Sequence, residues 1–182
     1  SLTTKGPEIV LSRTSEDVVR KLFSVEIPEV SEGSVEIKSI AREAGSRSKV
    51  AVATSNPQID PIGACIGQRG TRIQTIISEL GGEKIDIIEW NSDPVDFIKH
   101  ALSPAKVKEV QVNEVEHTVM VRVDADQLSL AIGKGGQNVR LASRLTGWKI
   151  NISEAGAVAP VVVEAVPDEE TPTEEVPEIP VN

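Results

Sequence analysis

One stretch of this sequence occurs twice. Asp60-Pro-Ile-Gly-Ala-Cys-Ile-Gly-Gln-Arg-Gly70 superposes on Asp126-Gln-Leu-Ser-Leu-Ala-Ile-Gly-Lys-Gly-Gly136 at a constant offset of 66. Asp60 meets Asp126, Ile66 meets Ile132, Gly67 meets Gly133 and Gly70 meets Gly136. Ile73 then falls on Val139, and after a slip of one residue Leu80, Gly82, Lys84, Ile85 and Ile87 fall on Leu145, Gly147, Lys149, Ile150 and Ile152. Self-similarity sustained over this length means one structural unit used twice. A chain of 182 residues has room for two such units and short flanks.

Each unit has a readable order. Ile73, Ile76, Ile77 and Leu80 form the apolar stripe of an amphipathic helix, which Gly81-Gly82 ends, and Glu83 to Trp90 reads as a strand. Upstream lie strand patterns at Ser34 to Ala41 and Lys49 to Thr54, preceded by a helix from the N-cap Ser15 to about Leu22. The second unit gives a helix from Pro94 to Leu102, strands at Val107 to Val112 and His117 to Val123, a short helix from Asp126, the glycine loop, a helix, and a strand at Trp148 to Ile152. The class is α+β and the order αββααβ, twice. Asp60 and Asp126 read as N-caps of the short helices that carry the loops.

The repeated spelling is I-G-x-x-G between two helices. A dinucleotide-binding turn would follow a strand and read GxGxxG, and a P-loop would read GxxxxGK[ST]; neither occurs. Glycines at both ends of such a loop let backbone approach a sugar-phosphate chain, and the following helix turns free N–H groups and its positive dipole end toward phosphate. The candidate nucleic-acid ligands are Gly67, Gln68, Arg69, Gly70 and Arg72 in the first unit. In the second they are Gly133, Lys134, Gly135, Gly136, Arg140, Arg144 and Lys149. From Gly133 to Ile152 no residue is acidic. Arg42, Arg47 and Lys49 either extend this basic surface or form a charged hairpin.

The net charge of −9 argues against a polyanionic partner only until its distribution is considered. Seven acidic residues and no Lys or Arg lie in 155–182, a Pro- and Glu-rich segment expected to be a disordered acidic tail. The remainder is near neutral. Phe23, Trp90, Phe97 and Trp148 are the only aromatic residues, too few for a base-stacking platform on a sheet, and the two Trp are expected to plug sheet edges. One cysteine, Cys65, precludes an internal disulfide and reads as a small buried apolar group; with His100 and His117 it makes no zinc pattern. No paired carboxylates or nucleophile set accompany the loops, so binding without turnover, and without cofactor or metal, is expected. The N-terminus lacks a signal peptide pattern and no apolar run could span a membrane, which points to the cytoplasm.

The strings AREAGSRSKVAV, IDPIGACIGQRGTRIQTIISELGGEKIDIIEW, DPVDFIKHALSPAKV and LSLAIGKGGQNVRLASRLTGWKINI closely resemble the tandem KH region of the bacterial NusA family of transcription elongation factors. The resemblance runs from about Gly6 to Ile152 and includes the junction between units. It implies two type II KH modules, at 14–90 and 91–154. It also implies binding of single-stranded nascent or leader RNA in pausing, termination and antitermination. RNA polymerase and other transcription factors are the partners it implies for the full-length protein, and a monomer is expected. A ribosome-associated or ribosome-assembly KH protein is the alternative. Gly6 to Arg13 resemble the last strand of a preceding OB-type domain, so 1–13 is read as its stub and a C-terminal fragment is expected.

Overall fold

The computed structural model describes residues 2–3, 6–7 and 11–156. Of the acidic segment 155–182 only the turn at Ala155 and Gly156 falls inside that range, and the stub at 1–13 lies partly outside it; the tail expectation falls outside the described residues. Two short strands, β1 (Leu2–Thr3) and β2 (Gly6–Pro7), pair antiparallel at the start.

The first module opens with α1 (Glu16–Glu26). Ser15 accepts a hydrogen bond from the Asp17 N–H, and Glu16 and Asp17 complement the helix dipole. The helix runs a turn beyond the Leu22 expected from sequence, because Phe23 and Ile27 are fully buried. Pro28 then forces Ile27 out of helical geometry and starts a second, four-residue helix, α2 (Pro28–Ser31), which the sequence reading missed. The hairpin β3 (Glu36–Glu43) and β4 (Arg47–Ala53) follows, then α3 (Pro61–Ile66), a 3₁₀ turn, α4 (Thr71–Glu79) and β5 (Lys84–Glu89). The second module repeats the order with α5 (Pro94–Ala101), β6 (Val107–Asn113), β7 (Thr118–Val123), α6 (Ala125–Ile132), a 3₁₀ turn, α7 (Gln137–Thr146) and β8 (Lys149–Glu154).

Each module builds a three-stranded mixed sheet, β3-β4-β5 or β6-β7-β8. The first two strands pair antiparallel and the last joins in parallel, since a helical crossover separates it from its neighbour. Even the irregularities repeat: the register slips between Ile37 and Ser39 and again between Val107 and Glu109, with a lysine, Lys38 or Lys108, at each bulge.

How the sheets are covered decides how the modules combine. Ile40, Val50 and Val52 share a core with Val19, Phe23, Cys65 and Ile76 of the module's own helices. On the opposite face of the same sheet, Ala41, Ala51 and Ile88 belong to one core with Ile98, Leu102, Leu141 and Leu145 of α5, α7 and their ends. The first sheet is therefore covered on both sides, which is why Ser48 to Val52 are buried without alternation. The corresponding outer face of the second sheet carries Gln111, Arg122 and Asn151. Polar contacts reinforce the junction: Ser39 Oγ donates to the Leu145 carbonyl at 3.0 Å and Lys49 Nζ to the Ser103 carbonyl at 2.9 Å.

Several expectations are corrected here. Arg42 and Lys49 do not extend a basic surface. Arg42 is clamped on the fully buried Glu83, while Lys49 is itself fully buried against Asp86 at 3.1 Å, with Arg47 on the same carboxylate. Asp126 does not cap α6; Asp124 holds the cap position, and Asp126 sits in the first turn. Trp90 is about one-third exposed beneath Lys38, whose ammonium lies 5.3 Å from the ring, and Trp148 stacks on His117 at 4.0 Å.

Candidate nucleic-acid interface

The two loops have one backbone. Gly67 and Gly133 both sit at φ/ψ near 75°/172° (74/174 and 76/171), a region open essentially to glycine alone. The third positions, Arg69 (55/24) and Gly135 (59/27), and the fourth, Gly70 (76/16) and Gly136 (75/10), are left-handed. The same two bonds fix each turn: Gly67 N–H to the Gly63 carbonyl and Gly70 N–H to the Gly67 carbonyl, matched by Gly133 to Ser129 and Gly136 to Gly133.

The first glycine of each loop is required from inside the protein. A Cβ at Gly67 would meet Arg72 Cγ at 2.8 Å, and one at Gly133 would meet the Asn138 backbone nitrogen and Cβ, both at 2.8 Å. Room for a sugar-phosphate chain is thus not what excludes a side chain there; the next helix is. Gly70 and Gly135 face open space by comparison.

Arg72 and Asn138 occupy corresponding positions and perform one job. Arg72 donates to the Ala64 carbonyl at 2.7 Å, and Asn138 to the equivalent Leu130 carbonyl at 3.2 Å, tying the helix after each loop to the helix before it. Arg72 also pairs with Glu29 at 2.8 Å. Asn138 reaches the Leu102 carbonyl at the end of α5.

Each loop delivers an uncapped helix start. Neither α4 nor α7 has a side chain capping its N-terminus or an acidic residue in its first turn, so the first-turn N–H groups and the positive dipole end are offered outward. Gln68, Arg69 and Lys134 are exposed, with no side-chain hydrogen bond or ion pair among the described residues. Cys65, buried beneath the first loop, has its thiol pushed by burial up to about 12, which removes it as a nucleophile.

The family description "NusA-like first KH domain" matches residues 13–90, and "NusA-like second KH domain" matches 94–160. The chain belongs to the NusA-like tandem KH family. It is 59% identical over 150 residues to the transcription termination/antitermination protein NusA of Halalkalibacterium halodurans, covering 82% of this chain and 39% of that protein. Against NusA of Bacillus subtilis the identity is 58% over 150 residues, with 82% and 40% covered; against NusA of Thermus thermophilus it is 55% over 153 residues, with 84% and 40% covered. The chain thus spans about two fifths of the length of these relatives. Among solved structures, the crystal structure of APE1850 matches with a TM-score of 0.53 at 26% identity, covering 74% of this chain and 96% of that one.

Within this NusA-type pair, the residues singled out from sequence separate by geometry. Gly67 to Gly70 and Gly133 to Gly136 form the two loops. Arg72 is turned to Glu29, and Arg140 donates through Nε to Glu43 Oε1 at 2.6 Å and through Nη1 to the Gly135 carbonyl at 3.1 Å. Arg144 lies two turns along α7, and Lys149 beyond its far end, roughly 15 Å of helix from the loop. Sequence reasoning overlooked Glu29, Glu43 and Asn138, which brace the loops. Only Asn138 left a trace in the sequence, at the same 66-residue offset from Arg72.

Proposed function

We propose that this chain binds single-stranded RNA along its two I-G-x-x-G loops, as the KH region of a factor acting in transcription elongation, pausing, termination and antitermination. The observation that carries this reading is the identical backbone of the two loops, each opening onto an uncapped helix start, within modules that share a core. Each loop clamps the backbone of about four nucleotides, so the pair accommodates a single strand rather than a duplex. Gly67, Gln68, Arg69 and Gly70, with Gly133, Lys134, Gly135 and Gly136, make the phosphate contacts; Arg144 and Lys149 supply a longer-range positive field. The reading takes 14–90 and 91–154 as the modules of a cytoplasmic monomer that acts by binding, without turnover. Contact with RNA polymerase belongs, on this reading, to the longer protein.

Charge placed in the open part of each loop tests it. Gly70→Asp and Gly135→Asp put a carboxylate where a Cβ meets nothing closer than 3.9 Å; both positions are left-handed, at φ 76° and 59°, so each change costs about 1–2 kcal/mol, and unchanged circular dichroism is the control that the fold survives it. Each is expected to remove more than half of the binding free energy of a long single-stranded RNA. Retention of full affinity by both variants would refute RNA binding at the loops, and additive, independent losses on short RNAs would refute one continuous surface. With about four phosphates engaged, log K against log salt is expected to slope near −3, at about −0.7 per contact.

A further inference from the structure

The two loops are built alike but supported differently. The first is braced within its own module, through Arg72 and Glu29. The second is reached from the other module: Glu43, at the end of β3, accepts Arg140 Nε at 2.6 Å on one carboxylate oxygen and Gln137 Nε2 at 2.7 Å on the other. Ser46, on the same hairpin turn, also accepts Gln137 at 2.8 Å. Held in this way, Arg140 donates to the Gly135 carbonyl at 3.1 Å. Among the described residues no hydrogen bond or ion pair from the second module reaches residues 67–70.

The second loop needs more help than the first. Three of its four residues are glycine, and Gly135 replaces the Cβ-bearing Arg69, so its backbone loses more freedom on ordering. The position matching Arg140 in the first module is the exposed Gln74, whose side chain bonds to nothing among the described residues. The strut and the extra glycine occur together, on one loop only.

We infer that Glu43 is a positioning residue for RNA binding at the second loop: without touching RNA, it fixes Arg140, and Arg140 fixes the Gly135 peptide. This rests on the RNA-binding reading above. It makes the first module a scaffold for the second loop, with no reciprocal hydrogen bond or ion pair among the described residues. The depressed pKa of Glu43, caused first by the Arg140 hydrogen bond, agrees with a carboxylate committed to that partner.

The inference has a sign opposite to plain electrostatics. Glu43 puts a negative charge beside a phosphate-binding loop, so its removal would tighten RNA binding if charge alone mattered. Positioning requires the reverse. In the full chain, with a random-sequence single-stranded RNA of about ten nucleotides as probe, Glu43→Ala is expected to weaken binding about tenfold, the equivalent of one charge-assisted hydrogen bond. Glu43→Gln, whose amide oxygen still accepts from Arg140, is expected to recover most of that loss. The salt slope is expected to stay unchanged in Glu43→Ala, and the double change with Arg140→Ala to lose less than the sum of the two single changes, because Glu43 acts partly through Arg140 and partly through Gln137. Amide NMR signals of Gly133 to Gln137 are expected to shift in Glu43→Ala while those of Gly67 to Gly70 stay in place. Tighter or unchanged binding with undisturbed second-loop amides, while Gly135→Asp still removes more than half of the binding free energy, would overturn the inference and leave the RNA reading standing. Loss of effect in Gly135→Asp would instead overturn the RNA reading, with the amide signals still deciding whether Glu43 positions the loop.

Discussion

Two glycines that look interchangeable in sequence differ in what surrounds them. At Gly67 an added methyl meets Arg72 Cγ at 2.8 Å and Cβ at 3.1 Å, a clash that a new Arg72 rotamer relieves only in part and at the cost of its bonds to Glu29 and Ala64. At Gly133 it meets the Asn138 backbone nitrogen at 2.8 Å, and a helix backbone cannot step aside. Both substitutions carry the cost of a backbone region open essentially to glycine alone, about 1–3 kcal/mol, but Gly133→Ala adds overpacking against helix backbone worth about 1–3 kcal/mol. Urea unfolding is therefore expected to rank Gly133→Ala as the more destabilising; equal midpoints would show that the second loop relaxes. The sequence displayed both glycines but not their reason, because the collision involves a side chain five residues on, across a turn. Arg69 was legible as a cation and illegible as a residue held at φ 55°.

At the scale of elements, hairpin β3–β4 and strand β5 are joined by one buried carboxylate. Glu83, fully buried, accepts from Arg42, from Ser48 Oγ at 2.6 Å and from the Gly45 N–H at 2.8 Å. Burial pushes its pKa up, yet these donors prevail and hold it below the ordinary 4.5. A depressed folded-state pKa contributes stability above the ordinary carboxylate value and loses it as pH falls through the folded value. Glu83→Gln is expected to flatten the stability-against-pH curve below pH 4.5, and Glu83→Ala to cost about 3–5 kcal/mol at neutral pH by stranding Arg42. A Glu83→Gln variant whose acid unfolding matches the parent would remove Glu83 from that role. The neighbouring Lys49–Asp86 pair occupies sheet positions where the second module has Met120 and Asn151. Asp86→Asn leaves a fully buried ammonium without its carboxylate, whereas Lys49→Met leaves Asp86 paired with Arg47. Thermal melts are expected to find Asp86→Asn the more damaging, and the double change milder than Asp86→Asn alone. Element types were legible because apolar periodicity and glycine punctuation are local signals. These charged residues were not, since in sequence a buried Lys is spelled like an exposed one.

For the whole molecule, the sequence announced two modules, but not the surface that makes them one. Ala41 and Ala51 read as unremarkable strand residues, and their small size is what lets α7 approach the back of the first sheet. The duplicated pattern even suggested equivalence, although the first sheet is buried on both faces and the second keeps a polar outer face. Such asymmetry arises from contacts between distant segments, which periodicity cannot report. Its thermodynamic consequence is cooperativity. A core that contains Ala41, Ala51 and Ile88 from one module and Leu102, Leu141 and Leu145 from the other cannot lose one module without exposing apolar surface on its partner. The chain supplies its own reporters, Trp90 at the end of the first module and Trp148 in the second. Trp148→Phe leaves fluorescence from Trp90, at the junction 6.4 Å from Phe97 of α5, and Trp90→Phe leaves it from the second module. In urea both variants are expected to show single transitions whose fluorescence midpoint coincides with that from circular dichroism, as two-state unfolding requires. A fluorescence transition that precedes the loss of helix in either variant would mean that the modules unfold separately, and the shared core would then contribute too little to make the pair one cooperative unit.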